Sequence, residues 1–237
     1  NAELETIRKI KKSGFKTKTI SLLFTVNKKD ALEKAIARIR KEAERAIKDG
    51  FTFVVLSDRG VNNEYAAIPS LLSLAAVHHY LVRRALRTQI SLILETGEPR
   101  EVHHFALLFG YGADCINPYL GYKAVEKLVE DKELAIDKET ALKHYVKAID
   151  KGILKIISKM GISTLQSYRG AQIFEALGLN KEVIDEYFSG TVSRIGGVSI
   201  EVIAAETLMR HKEAFAQGYR QEAGLLSTGG LYQWKRD

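Results

Sequence analysis

Residues 89–120 decide the fold of this chain. The stretch begins with QISLILET (89–96), an apolar run of strand length, and continues with the turn GEPR (97–100). The segment EVHHFALLFGYGAD (101–114) has helical periodicity, and CINPYL (115–120) opens with a second short apolar run. A strand, a helix and a second strand in this order predict a β-α-β unit, which requires a parallel sheet.

The sequence upstream of this unit repeats the same alternation. An apolar strand is predicted at 16–25, a helix with one apolar face at 32–47, a buried strand at 51–56 and a helix from Pro69 to about residue 86. Asp30 with Glu33 three residues later is the pattern of a capping box at the start of the first helix. Gly50 predicts a left-handed stop at its end.

Helices dominate the sequence downstream. The strongest pattern is the long amphipathic helix predicted at 137–160, and a fifth strand is predicted at 163–168. Further helices are predicted at 121–131, 171–177, 181–188 and 199–215. The fold class is therefore α/β, an open or barrel-like (TIM-like) βα architecture with four or five parallel strands and extra helices toward the C-terminus. Residues 1–14 are predicted to be a charged lead-in, 15–215 the α/β domain and 216–237 a linker.

Composition excludes several classes of protein. The chain has 237 residues, of which 46% are hydrophobic and 27% charged, with a net charge of +7 and one cysteine. A single cysteine excludes a disulfide framework or an all-cysteine metal site within the chain, which favours the cytoplasm. The basic charge comes without a nucleic-acid-binding motif, and no apolar stretch is long enough for a membrane span. We expect neither nucleic acid nor membrane as a partner.

Polar residues at the predicted strand ends form the main candidate site. Ligands of parallel sheets usually bind at the carboxyl ends of the strands. Converging carboxylates, guanidinium groups and amides would either bind a small molecule there, hold a neighbouring domain, or fasten the βα loops in a salt-bridged network. The candidate residues are Asp58, Arg59, Glu95, Glu98, Arg100, Asn117, Gln166, Tyr168 and Arg169.

Three weaker candidates have simpler structural explanations. The two His-His doublets, at 78–79 and 103–104, would need a carboxylate such as Glu95 or Glu101 to complete a metal site. The simpler expectation is that one histidine of each doublet is packed and the other is solvated. The SRIGG sequence (193–197) resembles a phosphate cradle but is more simply a tight turn between helices. Cys115 is expected to be a buried, inert thiol.

The longest motifs resemble the central domain of glutamate synthase. They include LSDRGV (56–61), IPSLL (68–72), EPREVHHFALL (98–108), INPYL (116–120), KMGISTLQSYRGAQIFEALGL (159–179), SRIGGV (193–198) and GGLYQW (229–234). The similarity extends from about residue 16 to the end of the chain. In that family an amidotransferase domain, the central domain and an FMN-binding synthase domain belong to one long polypeptide, so residues 216–237 would lead toward the synthase domain.

The resemblance implies an architectural role rather than catalysis. The family forms two glutamates from glutamine, 2-oxoglutarate and reductant, and its central domain links the two active-site domains and contributes to the ammonia tunnel wall. FMN and an iron–sulfur cluster belong to other domains of the parent enzyme. The amidotransferase uses an N-terminal cysteine, whereas this chain begins with Asn1, so we expect no catalytic, cofactor-binding or metal-binding residue here. The alternative is a stand-alone βα protein that binds a small molecule at its strand ends. The compartment would be the cytoplasm, or the plastid for a plant-type enzyme.

Overall fold

A computed structural model describes residues 2–10 and 12–215, with the side chain of Ala2 excepted. Eight strands lie in this part of the chain, numbered in order: β1 Thr17–Ser21, β2 Leu23–Thr25, β3 Phe53–Ser57, β4 Tyr65–Ala67, β5 Ser91–Glu95, β6 Cys115–Asn117, β7 Glu175–Leu179 and β8 Val192–Val198.

Nine α-helices accompany these strands in the described residues. They are α1 Ala2–Arg8, α2 Ala31–Lys48, α3 Ser70–Arg83, α4 Val102–Gly110, α5 Tyr119–Glu130, α6 Lys138–Lys159, α7 Leu165–Tyr168, α8 Lys181–Tyr187 and α9 Ile200–Ala214. A short 3-10 helix at Arg87–Gln89 precedes β5. None of the described helices is both long and apolar enough to span a bilayer.

Four parallel strands form the main sheet in the order β1-β3-β5-β6. The register places Ile20 beside Leu56, Leu56 beside Leu94 and Leu94 beside Ile116. Consecutive βα units thus add strands in one direction, which is the pattern of an open sheet or of part of a barrel. The predicted fold class is confirmed, with the extra helices α6 to α9 following the sheet.

The two faces of the sheet are covered differently. Val54, Leu56, Leu92 and Leu94 face the apolar sides of α2, α3 and α4 in the largest core cluster. Side chains alternate along a strand, so Val55 and Ile93 point to the other face, where Leu4 of α1 packs on them. The lead-in helix is therefore the cover of a sheet face.

The predicted first strand is divided in the structure. Leu22 separates β1 from β2, and its backbone N–H donates to Ser57 O (2.8 Å) while its carbonyl accepts from Ile68 N (2.9 Å). These bonds turn the chain out of the parallel sheet, so that β2 pairs antiparallel with β4. The predicted capping box is wrong, because Asp30 has left-handed backbone (φ 55°) and its side chain makes no cap bond. Gly50 has the predicted positive φ of 77°.

Two predictions downstream of α6 are wrong. Residues 163–168 contain the short helix α7, which Thr164 caps by accepting from Ser167 N (3.2 Å), and not a fifth strand. The helix predicted at 171–177 is absent, because Gly170 and Gln172 have φ values of 74° and 54° that no right-handed helix contains. Strand β7 forms there instead.

The glycine-rich SRIGG sequence lies within a strand rather than in a turn. It belongs to β8, which pairs parallel with β7 as a separate two-stranded sheet. A Cβ at Gly197 would lie 2.2 Å from the Gly178 carbonyl oxygen, so glycine permits a close approach of the two backbones. Neither the phosphate cradle nor the tight turn describes this segment.

Candidate functional site

Glu95, the last residue of β5, is the centre of the strand-end network. Its side chain is almost completely buried, with 2% exposure. Oε2 accepts from Arg8 Nη2 (2.5 Å) and Ser57 Oγ (2.5 Å), and Oε1 accepts from Arg59 Nε (2.7 Å). Burial acts to raise the pKa of Glu95, but these hydrogen bonds outweigh it and the pKa is lowered. Glu95 is therefore charged, and both of its carboxylate oxygens accept hydrogen bonds.

Asp58 is the second buried carboxylate of the network. Its Oδ2 accepts from Thr96 Oγ1 (2.5 Å) and Gly97 N (3.0 Å), and these bonds fix the loop after β5 against the end of β3. Desolvation raises the pKa of Asp58 despite these bonds. The Asp58 carboxyl in turn raises the pKa of Tyr119, after desolvation as the first cause.

Two residues of this network were missed by the sequence analysis. Arg8 comes from the lead-in, whose apolar Leu4 and Ile7 were the available sign that it packs as a helix. Tyr119 follows β6, and its ring lies 4.0 Å below the guanidinium of Arg59. The general rule for strand ends would have included Tyr119, because it lies beyond the carboxyl end of β6 just as Asp58 lies beyond that of β3.

The loop residues after β5 lie nearby but have separate roles. Glu98 accepts from Ser70 N (2.9 Å) and from the Ser70 hydroxyl, and so satisfies donors at the N-terminus of α3. The backbone of Arg100 donates to His104 Nδ1 (3.2 Å) and accepts from Tyr145 OH (2.9 Å). Asn117 is buried at the end of β6, and its carbonyl accepts from Thr96 N (3.1 Å).

The last three candidate residues do not join the strand-end network. Gln166 is exposed on α7. Tyr168 is fully buried in the cluster between α4 and α6, where its hydroxyl donates to Ala106 O (3.1 Å) and burial raises its pKa to about 12. Arg169 pairs with Asp114 Oδ1 (2.6 Å), which precedes β6 and so lies at the amino end of the sheet. The three were grouped with the strand ends only because residues 163–168 were predicted to be a strand.

A second polar network occupies the amino end of the sheet. Asp114 Oδ2 accepts from Leu92 N (2.8 Å) and from Arg87 Nη2 (2.8 Å). Arg87 also donates to Gly112 O (2.7 Å) and, through Nε, to His78 Nδ1 (3.0 Å). Burial is the first cause that lowers the pKa of His78, to about 3, and the Arg87 charge is the second.

The histidine doublets and Cys115 are the remaining candidates from the sequence analysis. In residues 2–10 and 12–215, no three His, Cys, Asp or Glu side chains are grouped as metal ligands. His104 lies 3.5 Å from Glu101, whereas Glu95 is occupied by Arg8 and Arg59. Cys115 at the start of β6 is exposed, and the expected buried thiol is wrong.

The fold and these networks define an α/β domain on four parallel strands whose polar strand end is closed by its own side chains. The sequence pattern of the family described as "Glutamate synthase central domain" matches residues 1–180. The chain belongs to that family.

Curated relatives are glutamate synthases of several kinds. The glutamate synthase [NADPH] large chain of Bacillus subtilis is 44% identical over 99% of this chain and 15% of its own length. Glutamate synthase [NADH] of Schizosaccharomyces pombe is 51% identical over 76% of this chain and 9% of its own length. The chloroplastic ferredoxin-dependent glutamate synthase of Oryza sativa subsp. japonica is 39% identical over 91% and 14%, respectively.

This chain therefore spans about one seventh or less of the length of each of these relatives. Among solved structures, a flavocytochrome b2 variant with sulfite bound has a TM-score of 0.46 at 14% identity, over 56% of this chain and 32% of that chain. This likeness is slight, and no argument rests on it.

Proposed function

We propose that this chain is the central-domain segment of a longer glutamate synthase. The whole enzyme would convert glutamine, 2-oxoglutarate and reductant into two glutamates. This segment would hold the amidotransferase and FMN synthase domains in register and form part of the ammonia tunnel wall, with residues 216–237, outside the described residues, as the linker toward the synthase domain. FMN and the iron–sulfur cluster would belong to other domains, and the compartment would be the cytoplasm or a plastid.

Exposed apolar side chains on β7, on β8 and on α9, which contacts β8, are the observation that carries this proposal. We call these five residues the ribbon surface: Leu177, Val192, Ile195, Val202 and Met209. Leu177 and Ile195 are register partners on neighbouring strands and are 67% and 61% exposed. Scattered exposed apolar residues are ordinary, but adjacent large ones on a sheet favour an interaction site.

The ribbon is only partly covered by the described helices: α8 and α9 contact it, while Leu177, Val192 and Ile195 stay exposed. An isolated two-stranded sheet is marginally stable at best in water, and β7 and β8 pair only with each other in the part of the chain that the structure describes. The match to the central-domain family stops at residue 180, between the two strands, while the Bacillus relative aligns over 235 residues. These facts support a ribbon that packs on a part of the longer polypeptide beyond the central domain.

The strand-end network supports an architectural role over small-molecule binding. A ligand at this edge would have to displace Arg8, Arg59 and Ser57 from Glu95. Buried charges that lose their partners are costly, by roughly 3–5 kcal/mol for a fully buried pair.

The exposed guanidinium of Arg100 is our candidate for a second contact with a neighbouring domain. It makes no ion pair within the described part of the chain, unlike Arg59 and Arg169, which hold Glu95 and Asp114. Within this proposal Arg100 reaches outward, while Arg59 and Glu98 hold the loops beside it. Arg169 holds Asp114 at the opposite end of the sheet.

The test uses the full-length enzyme with Leu177→Glu and Ile195→Glu together. We expect each half-reaction to persist when measured alone, while ammonia escapes to solvent and the yield of glutamate per glutamine hydrolysed falls several-fold. Leu154→Glu is the matched control, because Leu154 is an equally exposed apolar residue on α6 (64%). An unchanged yield in the double variant, or an equal loss in the control, would contradict the proposal.

A further inference from the structure

A cavity of about 410 Å³ lies at the ends of α3 and α4, away from the strand-end network. Its lining combines aromatic rings, glycine backbone and a few uncharged polar groups. The residues used below are His78, His79, Tyr111, Gln172, Phe174 and Thr191. The volume is within the range of small-molecule sites, roughly 300–1,000 Å³. No residue of this cavity takes part in the proposed interdomain role.

The cavity presents a hydrogen-bond donor whose direction is fixed. Arg87 Nε donates to His78 Nδ1 (3.0 Å), so Nδ1 accepts and the neutral ring carries its proton on Nε2. The Nδ1 edge is covered by Arg87 and by Gly112, where a Cβ would lie 2.3 Å away. The Nε2–H lies on the opposite edge of the ring, and because His78 lines the cavity we take this N–H as the donor available to a ligand there.

The charges around the cavity are already paired. Arg83 reaches Ser189 Oγ (3.2 Å) and Glu186, Arg40 also pairs with Glu186, and Arg169 pairs with Asp114. Among the described residues, no Asp, Glu, Lys or Arg side chain belongs to the cavity lining. The pKa values of His78 and His79 are both lowered, to about 3 and about 4, first by burial, so both rings are neutral at pH 7. A charged ligand would find no counter-charge in this lining.

Aromatic rings define the shape of the cavity. Tyr111 stacks on Phe174 with ring centroids 5.9 Å apart and meets the edge of His79 at 6.5 Å. Phe174 approaches Gly110 so closely that a Cβ there would lie 2.6 Å from its ring. Three further polar side chains line the cavity: the Gln172 amide, the Ser189 hydroxyl and the Thr191 hydroxyl, which bonds to Tyr111 OH (2.7 Å). Such walls fit a flat molecule.

We propose that this cavity binds a neutral, planar heterocycle that accepts a hydrogen bond from His78 Nε2. The acceptor is a ring nitrogen or ring carbonyl, and the ligand's flat faces lie against Tyr111, Phe174 and His79. The site is independent of the proposed interdomain role, because none of its lining residues belongs to the ribbon surface.

The test compares two bicyclic probes of the same size, benzimidazole and indole, at pH 8 by NMR titration of the whole chain. Both are flat and neutral and donate through N–H, but only benzimidazole also has an in-plane acceptor nitrogen. We expect benzimidazole to bind about tenfold more tightly, the factor of one hydrogen bond, and to shift the His78 ring signals. Equal binding of the two probes, or binding of neither at millimolar concentration, would overturn the proposal.

Three variants test where the probe binds and what His78 contributes. Val82→Phe adds a ring at the mouth of the cavity from an exposed position on α3 and should weaken benzimidazole binding at least tenfold without unfolding the chain. Leu154→Phe makes a comparable exposed substitution on α6 and should leave binding unchanged. His78→Phe should abolish the preference for benzimidazole over indole. A Val82→Phe variant that binds like the parent chain contradicts the location.

Discussion

Replacement of Glu95 by glutamine should destabilise the chain by about 3 kcal/mol, because the amide keeps one acceptor oxygen but loses the negative charge. Arg8, Arg59 and Ser57 contact that charge at 2.5–2.7 Å. Hydrogen bonds to a charged group contribute about 1.5–3 kcal/mol each. Arg59 is 47% exposed and Arg8 23% exposed, so both recover hydration in the variant and the loss stays below the sum.

The measurement is the urea midpoint of unfolding at pH 7, with the slope checked for two-state behaviour. Glu139→Gln, which removes an exposed partner of Lys143, should change stability by less than about 1 kcal/mol. Because the folded pKa of Glu95 is lowered, its contribution is present above the ordinary pKa of 4.5 and is lost as the pH falls through the folded pKa. A Glu95→Gln loss below about 0.5 kcal/mol at pH 7, or one that stays constant to pH 3, would refute the reasoning.

Two further predictions concern the amino end of the sheet. The folded pKa values of His78 and His79 lie near 3 and 4, below their ordinary value of 6.5. The contribution of these two histidines to the free energy of unfolding is thus complete above pH 6.5. It declines as the pH falls, by about 1 kcal/mol per pH unit for His78. Urea unfolding between pH 7 and 5 should show this pH dependence. A variant with glutamine at both His78 and His79 that keeps the same dependence would contradict its assignment to these two residues. Gly112→Ala (φ 116°) should lower the free energy of unfolding by more than about 2 kcal/mol in thermal unfolding, because the new Cβ would meet His78. Gly14→Ala (φ 81°) is the control: its Cβ would have open space, and it should cost about 1–2 kcal/mol. Equal losses in the two variants would show that the contact with His78 is unimportant.

The periodic parts of the fold were predictable from the sequence. Residues 89–120 gave strand, helix and strand because strand β5 and helix α4 are each buried along a continuous apolar stretch. The long helix α6 was predicted within a residue at each end, and Asp137 caps it by accepting from Thr140 N (2.9 Å). Local pattern and tertiary packing agree in these elements.

The wrong predictions lie where backbone geometry or contacts distant in sequence determine the secondary structure. The QSYRGAQ segment contains ordinary helix formers, but positive φ at Gln172 is imposed by the fold and is invisible to periodicity. Leu22 belongs to an apolar run, yet its backbone bonds to Ser57 and Ile68 divide that run into two strands. No local sequence pattern indicates hydrogen-bond partners so far along the chain.

The candidate site was predictable only in part for the same reason. Asp58 and Arg59 follow one strand and Glu95 ends the next, and both strands were predicted to be parallel, so their convergence at one edge of the sheet was expected. Arg8 reaches Glu95 across 87 positions of sequence. The predicted position of Arg169 depended on a strand that does not form. Residues 231–234, the LYQW part of the GGLYQW motif, lie outside the described residues.

The chain contains two methionines, and their oxidation tests the central claim most directly. Met209 belongs to the ribbon surface and is 69% exposed, while Met160 directly follows α6, outside that surface, and is 52% exposed. Hydrogen peroxide should therefore convert both to sulfoxide at similar rates in the isolated chain, as mass spectrometry of the peptides would show. In the full-length enzyme the account predicts that Met209 becomes several-fold slower relative to Met160. Equal rates for Met209 in the isolated chain and in the full-length enzyme would contradict the claim that the ribbon surface packs on a neighbouring domain.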